Sequence, residues 1–155
     1  MRSLRDLHIL RVVTRRVLLV GGDTAWSRVY RDIFRTLERD YQVETADYCD
    51  DALTLLMRSS FDVVLVLSLR APWGKFSSFT GNVESGILFL KEMRALHSQV
   101  PAIMISAAGL MVPQAKEAAL ANGAFAFLDK PFDVQELDRL VAVALSHERG
   151  RPIEG

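Results

Sequence analysis

The sequence predicts an α/β fold built on a parallel sheet with helices on both faces, and three observations carry that prediction. Short apolar runs alternate five times with segments of helical spacing. Val17–Val20 is apolar throughout and Phe61–Leu67 strongly apolar, with Asp62 as its one charge, rather than at every second residue, as suits strands covered on both faces. The first run passes at once into Gly21-Gly22-Asp23-Thr24, a tight turn feeding a helix, with Asp23 or Thr24 as its N-cap.

Taken in order, Val17–Val20 is the first strand, and Ala25–Arg39 the first helix, with an expected buried stripe of Trp26, Val29, Tyr30, Ile33, Phe34 and Leu37. Gln42–Ala46 reads as a strand and Asp50–Ser59 as a short helix carrying Ala52, Leu53, Leu55, Leu56 and Met57. Phe61–Leu67 is a third, strongly apolar strand. Ser68 to Ser85 follows as a long irregular stretch with Pro72, Gly74 and Gly81, and with Trp73, Phe76 and Phe79 among hydroxyl residues. Such connections are usually ~2–6 residues, so this one is either a lid, a partner surface, or a loop anchored by its aromatics. Gly86–Leu96 is helical, Ala102–Ser106 a strand and Pro113–Asn122 a helix. Gly123 then ends the helical pattern, since glycine after asparagine readily takes the left-handed conformation. Phe125–Leu128 is the fifth strand, cut short by Lys130-Pro131, where the X-Pro bond of a tight turn suits a cis peptide. Val134–His147 closes the chain, with Asp133 as N-cap.

Five right-handed β-α units leave few topologies, and the flavodoxin-like order 2-1-3-4-5 is the natural one. Sites in such sheets lie at the carboxyl ends of the strands, beside strand 1. Those ends carry Gly21, Gly22 and Asp23, then Leu67 and Ser68, Ser106 and Ala107, and Lys130 with Pro131.

Composition narrows the function classes. The chain has 155 residues, half of them hydrophobic, which suits one domain with a real core. Lysine plus arginine equals aspartate plus glutamate at 19 each, so no net charge points to nucleic acid or membrane. The balance is uneven: residues 1–16 hold five arginines against Asp6 alone, a basic extension before a domain over 17–147 and a tail over 148–155. No apolar run approaches the ~20 residues of a membrane span, and no secretory leader is visible, so cytoplasm is the default. The one cysteine, Cys49, has no second thiol to pair with and reads as a small semi-buried residue rather than a redox centre. No metal-ligand spacing and no cofactor motif is present.

From about Arg16 to Leu145 the chain resembles the receiver domain of two-component response regulators, best at Val17–Val20 with its turn, Glu44–Leu56, Pro101–Ser106 and Asn122–Phe132. The resemblance implies a pocket in which two acids after strand 1 hold magnesium and an aspartate ending strand 3 takes a phosphoryl group. A Ser/Thr after strand 4 and a lysine after strand 5 bind the phosphate. Ser106 matches the hydroxyl position, Lys130 the lysine, Pro131 the cis-proline and Phe127 the switch aromatic. The acidic positions hold Gly21 and Gly22, with only the adjacent Asp23 acidic. The acceptor position falls on Leu67 counted from Asp62, or on Ser68 counted back from Pro72.

The expectation is therefore an atypical receiver, not an enzyme, that works by protein contact without aspartate phosphorylation. Its partner would be a histidine kinase, an output protein, or a second copy meeting through the face of helix 4, strand 5 and helix 5. The alternative is a small-ligand or anion module using the strand-end pocket, where Gly21-Gly22, Ser106 and Lys130 would meet the ligand. Catalysis through Ser68 is the least supported, since His8, His97 and His147 are not placed to serve as its base. Lys130 is expected to pair with Asp23, the only acid predicted at the strand 1 end facing that pocket, while Asp129 should point to the opposite side by strand alternation.

Overall fold

The structure is a computed structural model and describes residues 13–22, 24–75, 85–96, 98–107 and 113–146. Within them, five strands alternate with five helices. These are β1 (Arg15–Val20), α1 (Thr24–Thr36), β2 (Tyr41–Ala46), α2 (Cys49–Arg58), β3 (Val63–Val66), α3 (Ser85–Ala95), β4 (Ala102–Ser106), α4 (Pro113–Ala121), β5 (Ala126–Asp129) and α5 (Val134–Ser146). The sheet order is β2-β1-β3-β4-β5 and every pairing is parallel, as the sequence predicts. The Asp23 cap, the aromatics Phe76 and Phe79, all three histidines and the basic residues before Val13 lie outside the described residues.

The period-two alternation of the strands divides the core in two. Leu18, Val20, Val64, Val66, Ala102, Met104 and Phe127 face one way, against Cys49 and Ala52 of α2, Phe89, Leu90 and Met93 of α3, and Ala115 and Ala119 of α4. Val17, Leu19, Val63, Leu65, Leu67, Ile103, Ile105 and Leu128 face the other way, against Tyr30 and Phe34 of α1 and Leu137, Val141 and Ala144 of α5. Such double coverage is why the central strands read as unbroken apolar runs. A Leu-to-Ala change in either layer would cost about 2–5 kcal/mol.

Several boundaries and burials differ from the sequence reading. Only Val63–Val66 of the predicted third strand is strand, although the Leu67 amide still donates to Val20 O at 2.9 Å. The stripe of α1 is centred on Ser27, Tyr30 and Phe34, while Trp26 and Val29 are 52% and 45% exposed. Val29 lies on the flank of that stripe, and Trp26 lies one turn beyond Tyr30 toward the strand ends, where the sheet no longer covers it. Cys49 is fully buried as the first residue of α2 rather than semi-buried before it. Desolvation, with Asp50 adding to it, pushes its thiol up to about 12.

Arginine side chains staple the end of the sheet away from the strand C-termini. Arg94 donates to the carbonyls of Ser98 (2.7 Å), Val100 (3.3 Å) and Gly123 (2.6 Å), tying α3 to the entries of β4 and β5. Gly123 sits at φ +104, so the predicted left-handed helix stop holds, and Arg94 occupies the space a side chain there would need. Arg16 pairs with Glu44, donates to Ser60 O and lies over the Phe61 ring at 4.5 Å. With that end closed, the strand C-termini are left to form the site.

Candidate functional site

β1 is followed by Gly21, whose amide donates to Ala46 O at 2.9 Å and whose φ of +80 turns the chain away from the sheet. Only glycine takes that conformation without strain. Beside it, β3 gives way at Leu67 to a turn that closes on itself. Ser68 Oγ accepts the Arg70 amide at 3.0 Å and Ser68 O accepts the Ala71 amide at 3.2 Å. The turn drives Ala71 inward to zero exposure, against Gly21, so that a methyl group on Gly21 would overlap the Ala71 side chain. Leu67 is 2% exposed, and its Cδ1 lies 2.7 Å from where a Gly22 Cβ would stand.

The segment then crosses to α2. The carbonyls of Pro72 and Trp73 accept the Cys49 and Asp50 amides, each at 2.9 Å, which satisfies two of the orphan donors at that helix start. Trp73 packs against the α2–α3–α4 core, so this part of the long connection is anchored by its aromatic. At its other end, the Leu69 carbonyl accepts the Gly86 amide (2.8 Å) and the Ser85 hydroxyl (3.3 Å), fixing the start of α3.

On the far side of the cleft, the Lys130 amide donates to Ser106 O at 3.2 Å and the Lys130–Pro131 bond is cis. The Lys130 ammonium donates to Leu67 O at 3.4 Å and stands 5.3 Å from the centre of the Trp26 ring. Burial lowers its pKa from the ordinary lysine range. The resulting cleft of about 540 Å³ is lined by Gly21, Gly22, Trp26, Asp47, Tyr48, Leu67, Ser68, Pro72 and Lys130.

Five of the residues singled out in the sequence therefore meet at this cleft: Gly21, Gly22, Leu67, Ser68 and Lys130. Three do not line it. Ser106 is 7% exposed, and its carbonyl accepts the Lys130 amide. Pro131 follows the cis bond outside the lining. Phe127 is 8% exposed in the α2–α3–α4 core, beside Met104 of the neighbouring strand. The pair expected between Lys130 and Asp23 lies outside the described residues.

The cleft also contains an acid that sequence reasoning missed, Asp47. Its place directly after β2, the strand beside β1, is the signal that marks it. Trp26, Tyr48 and Pro72 were missed as well, because a helix stripe and a loop proline carry no mark of the cleft they border. The Oδ1 of Asp129 at the end of β5 is buried without a hydrogen-bond partner among the described residues.

No model of a known protein family matches the chain. It is 37% identical over 95 residues to the response regulator protein PilR of Pseudomonas aeruginosa PAO1, a match covering 61% of this chain and 18% of PilR. The chain thus spans less than a fifth of that relative. Among solved structures, the receiver domain of the Francisella response regulator 1452 superposes with a TM-score of 0.67 at 25% identity, covering 85% of this chain and 97% of that one. The receiver domain of the sensor histidine kinase PA1611 from P. aeruginosa PAO1, solved with magnesium in its active-site cleft, gives 0.69 at 24% identity, covering 87% and 100%. No helix among the described residues is long and apolar enough to cross a membrane.

Proposed function

We propose that this chain, a receiver domain of the two-component response-regulator type, signals through protein contact and takes no phosphoryl group. The observation that carries the reading is the seat of Ala71. Receiver chemistry, as the resemblance implies it, needs carboxylates at the positions held here by Gly21 and Gly22, and an aspartate where β3 ends. Ala71 and Leu67 fill the space those side chains would use. Magnesium demands oxygen ligands in near-octahedral array at ~2.0–2.1 Å, and this wall offers it a methyl group and a leucine. Among the described residues no three His, Cys, Asp or Glu side chains gather to hold a metal. The described residues do not fit the ion. Phosphoryl transfer rests on positioning and on charge neutralisation by metal and cation, so Lys130 alone leaves the reaction unsupported.

Contact with a partner then falls to the outer faces. Leu120 of α4 and Val143 of α5 are each 43% exposed, on the face expected to meet a histidine kinase, an output protein or a second copy. The test is direct. Incubation with magnesium and acetyl phosphate should leave the intact mass unchanged, whereas the receiver domain of PA1611 serves as the comparison protein. A phosphoryl adduct that maps to Leu67–Ala71 or to any other strand-end residue overturns the reading. A second reading, a ligand module, is favoured by one specific observation: the Lys130 ammonium at the cleft lacks an ion-pair partner among the described residues.

A further inference from the structure

We infer that the strand-end cleft binds an aromatic monocarboxylate, with the carboxylate at Lys130 and the ring beside Trp26. The inference deepens the second reading above, and it rests on the cleft having no metal-phosphate chemistry. Lys130 carries three donors, and among the described residues its contacts are one 3.4 Å bond to Leu67 O and the face of Trp26. A partly desolvated ammonium so weakly satisfied favours an anion over water. Gly22, whose amide has no main-chain acceptor among the described residues, and Ser68 line the same cleft. Each can offer a donor to a carboxylate held there.

Three further features narrow the class. Asp47 lines the cleft and opposes a ligand of high negative charge, so a single charge suits it better than a phosphate dianion. Half of Trp26 is exposed at the mouth, and Tyr48, Leu67 and Pro72 add apolar surface, which fits a planar ring. The volume of about 540 Å³ falls within the ~300–1,000 Å³ of small-molecule sites. A ring N–H or O–H on the ligand would give Asp47 a donor. A metal cation is the poorer guest, because among the described residues the wall sets one acid, Asp47, beside the Lys130 cation.

The test is calorimetric titration of the full chain with indole-3-carboxylate, indole and acetate. Indole-3-carboxylate should saturate, and bind at least about tenfold (about 1.4 kcal/mol) more tightly than either fragment. Lys130→Met should remove that advantage and leave indole binding unchanged, Lys130→Arg should keep most of it, and Trp26→Leu should weaken both aromatic probes. Trp26 is exposed enough that its replacement leaves folding intact, so one informative variant survives even if Lys130→Met is unstable. The inference is overturned if wild type gives no saturable heat at millimolar probe, if indole binds as well as its carboxylate, or if Lys130→Met binds normally. A phosphoryl adduct in the acetyl phosphate experiment removes the protein-contact reading; an unchanged mass with no heat of binding removes only this inference.

Discussion

Gly21→Ala is the substitution that most directly probes how the cleft is built. Two costs add at this position. The φ of +80 places an L side chain in the left-handed region, worth about 1–2 kcal/mol. The new methyl would also overlap the Ala71 side chain, and forcing an extra methylene into a packed site costs about 1–3 kcal/mol. The sum is a loss of about 2–5 kcal/mol. Ala71→Gly alone removes one buried methyl, about 0.8 kcal/mol, with a backbone-entropy loss of about 0.5–1 kcal/mol. In the double variant the overlap disappears while the φ cost stays, so the two changes should couple favourably by about 1–3 kcal/mol. Urea unfolding followed by circular dichroism reads all four proteins, provided the slopes agree. Additivity within about 0.5 kcal/mol would refute the seating of Ala71 against Gly21, and with it the case that the metal position is filled.

Two predictions concern pH and charge. Lys130 has a depressed pKa, so the unfolded chain holds this proton more tightly; Lys130→Met should therefore raise the unfolding midpoint at neutral pH, and the gain should shrink as pH climbs through the lysine range. A gain that stays constant to the alkaline end would show that desolvation is not its cause. Cys49 and Tyr30 are both raised to about 12 by burial, so their contributions are whole below their ordinary values and are lost as pH rises toward 12. Each should add a slope of about 1.4 kcal/mol per pH unit once its unfolded form ionises. Cys49→Ala should delay the onset of that decline from the thiol range to the tyrosine range, measured as urea midpoints at successive pH values; an unchanged onset would mean the thiol is not sealed.

By itself the sequence determined the strand order, because five apolar runs separated by five amphipathic segments allow few right-handed parallel arrangements. Glycine at 123 marked a helix stop and Lys130-Pro131 a strand end, since both residues constrain the backbone locally. The resemblance of Asn122–Phe132 and Pro101–Ser106 to receiver domains pointed to the strand ends, and it implies carboxylates at the positions that Gly21 and Gly22 hold. What replaced them was decided only by tertiary structure. Nothing in Leu67-Ser68-Leu69-Arg70-Ala71 announces that a turn closed by Ser68 will press Ala71 against Gly21 across a sheet, because that contact joins residues fifty positions apart. The same holds for Asp47, Trp26 and Lys130, which sit on three separate elements and share a cleft only once β1 lies between β2 and β3. Local propensity acts over a few neighbours. The walls of a cleft are set by how strand ends align, and that alignment is a property of the packed sheet.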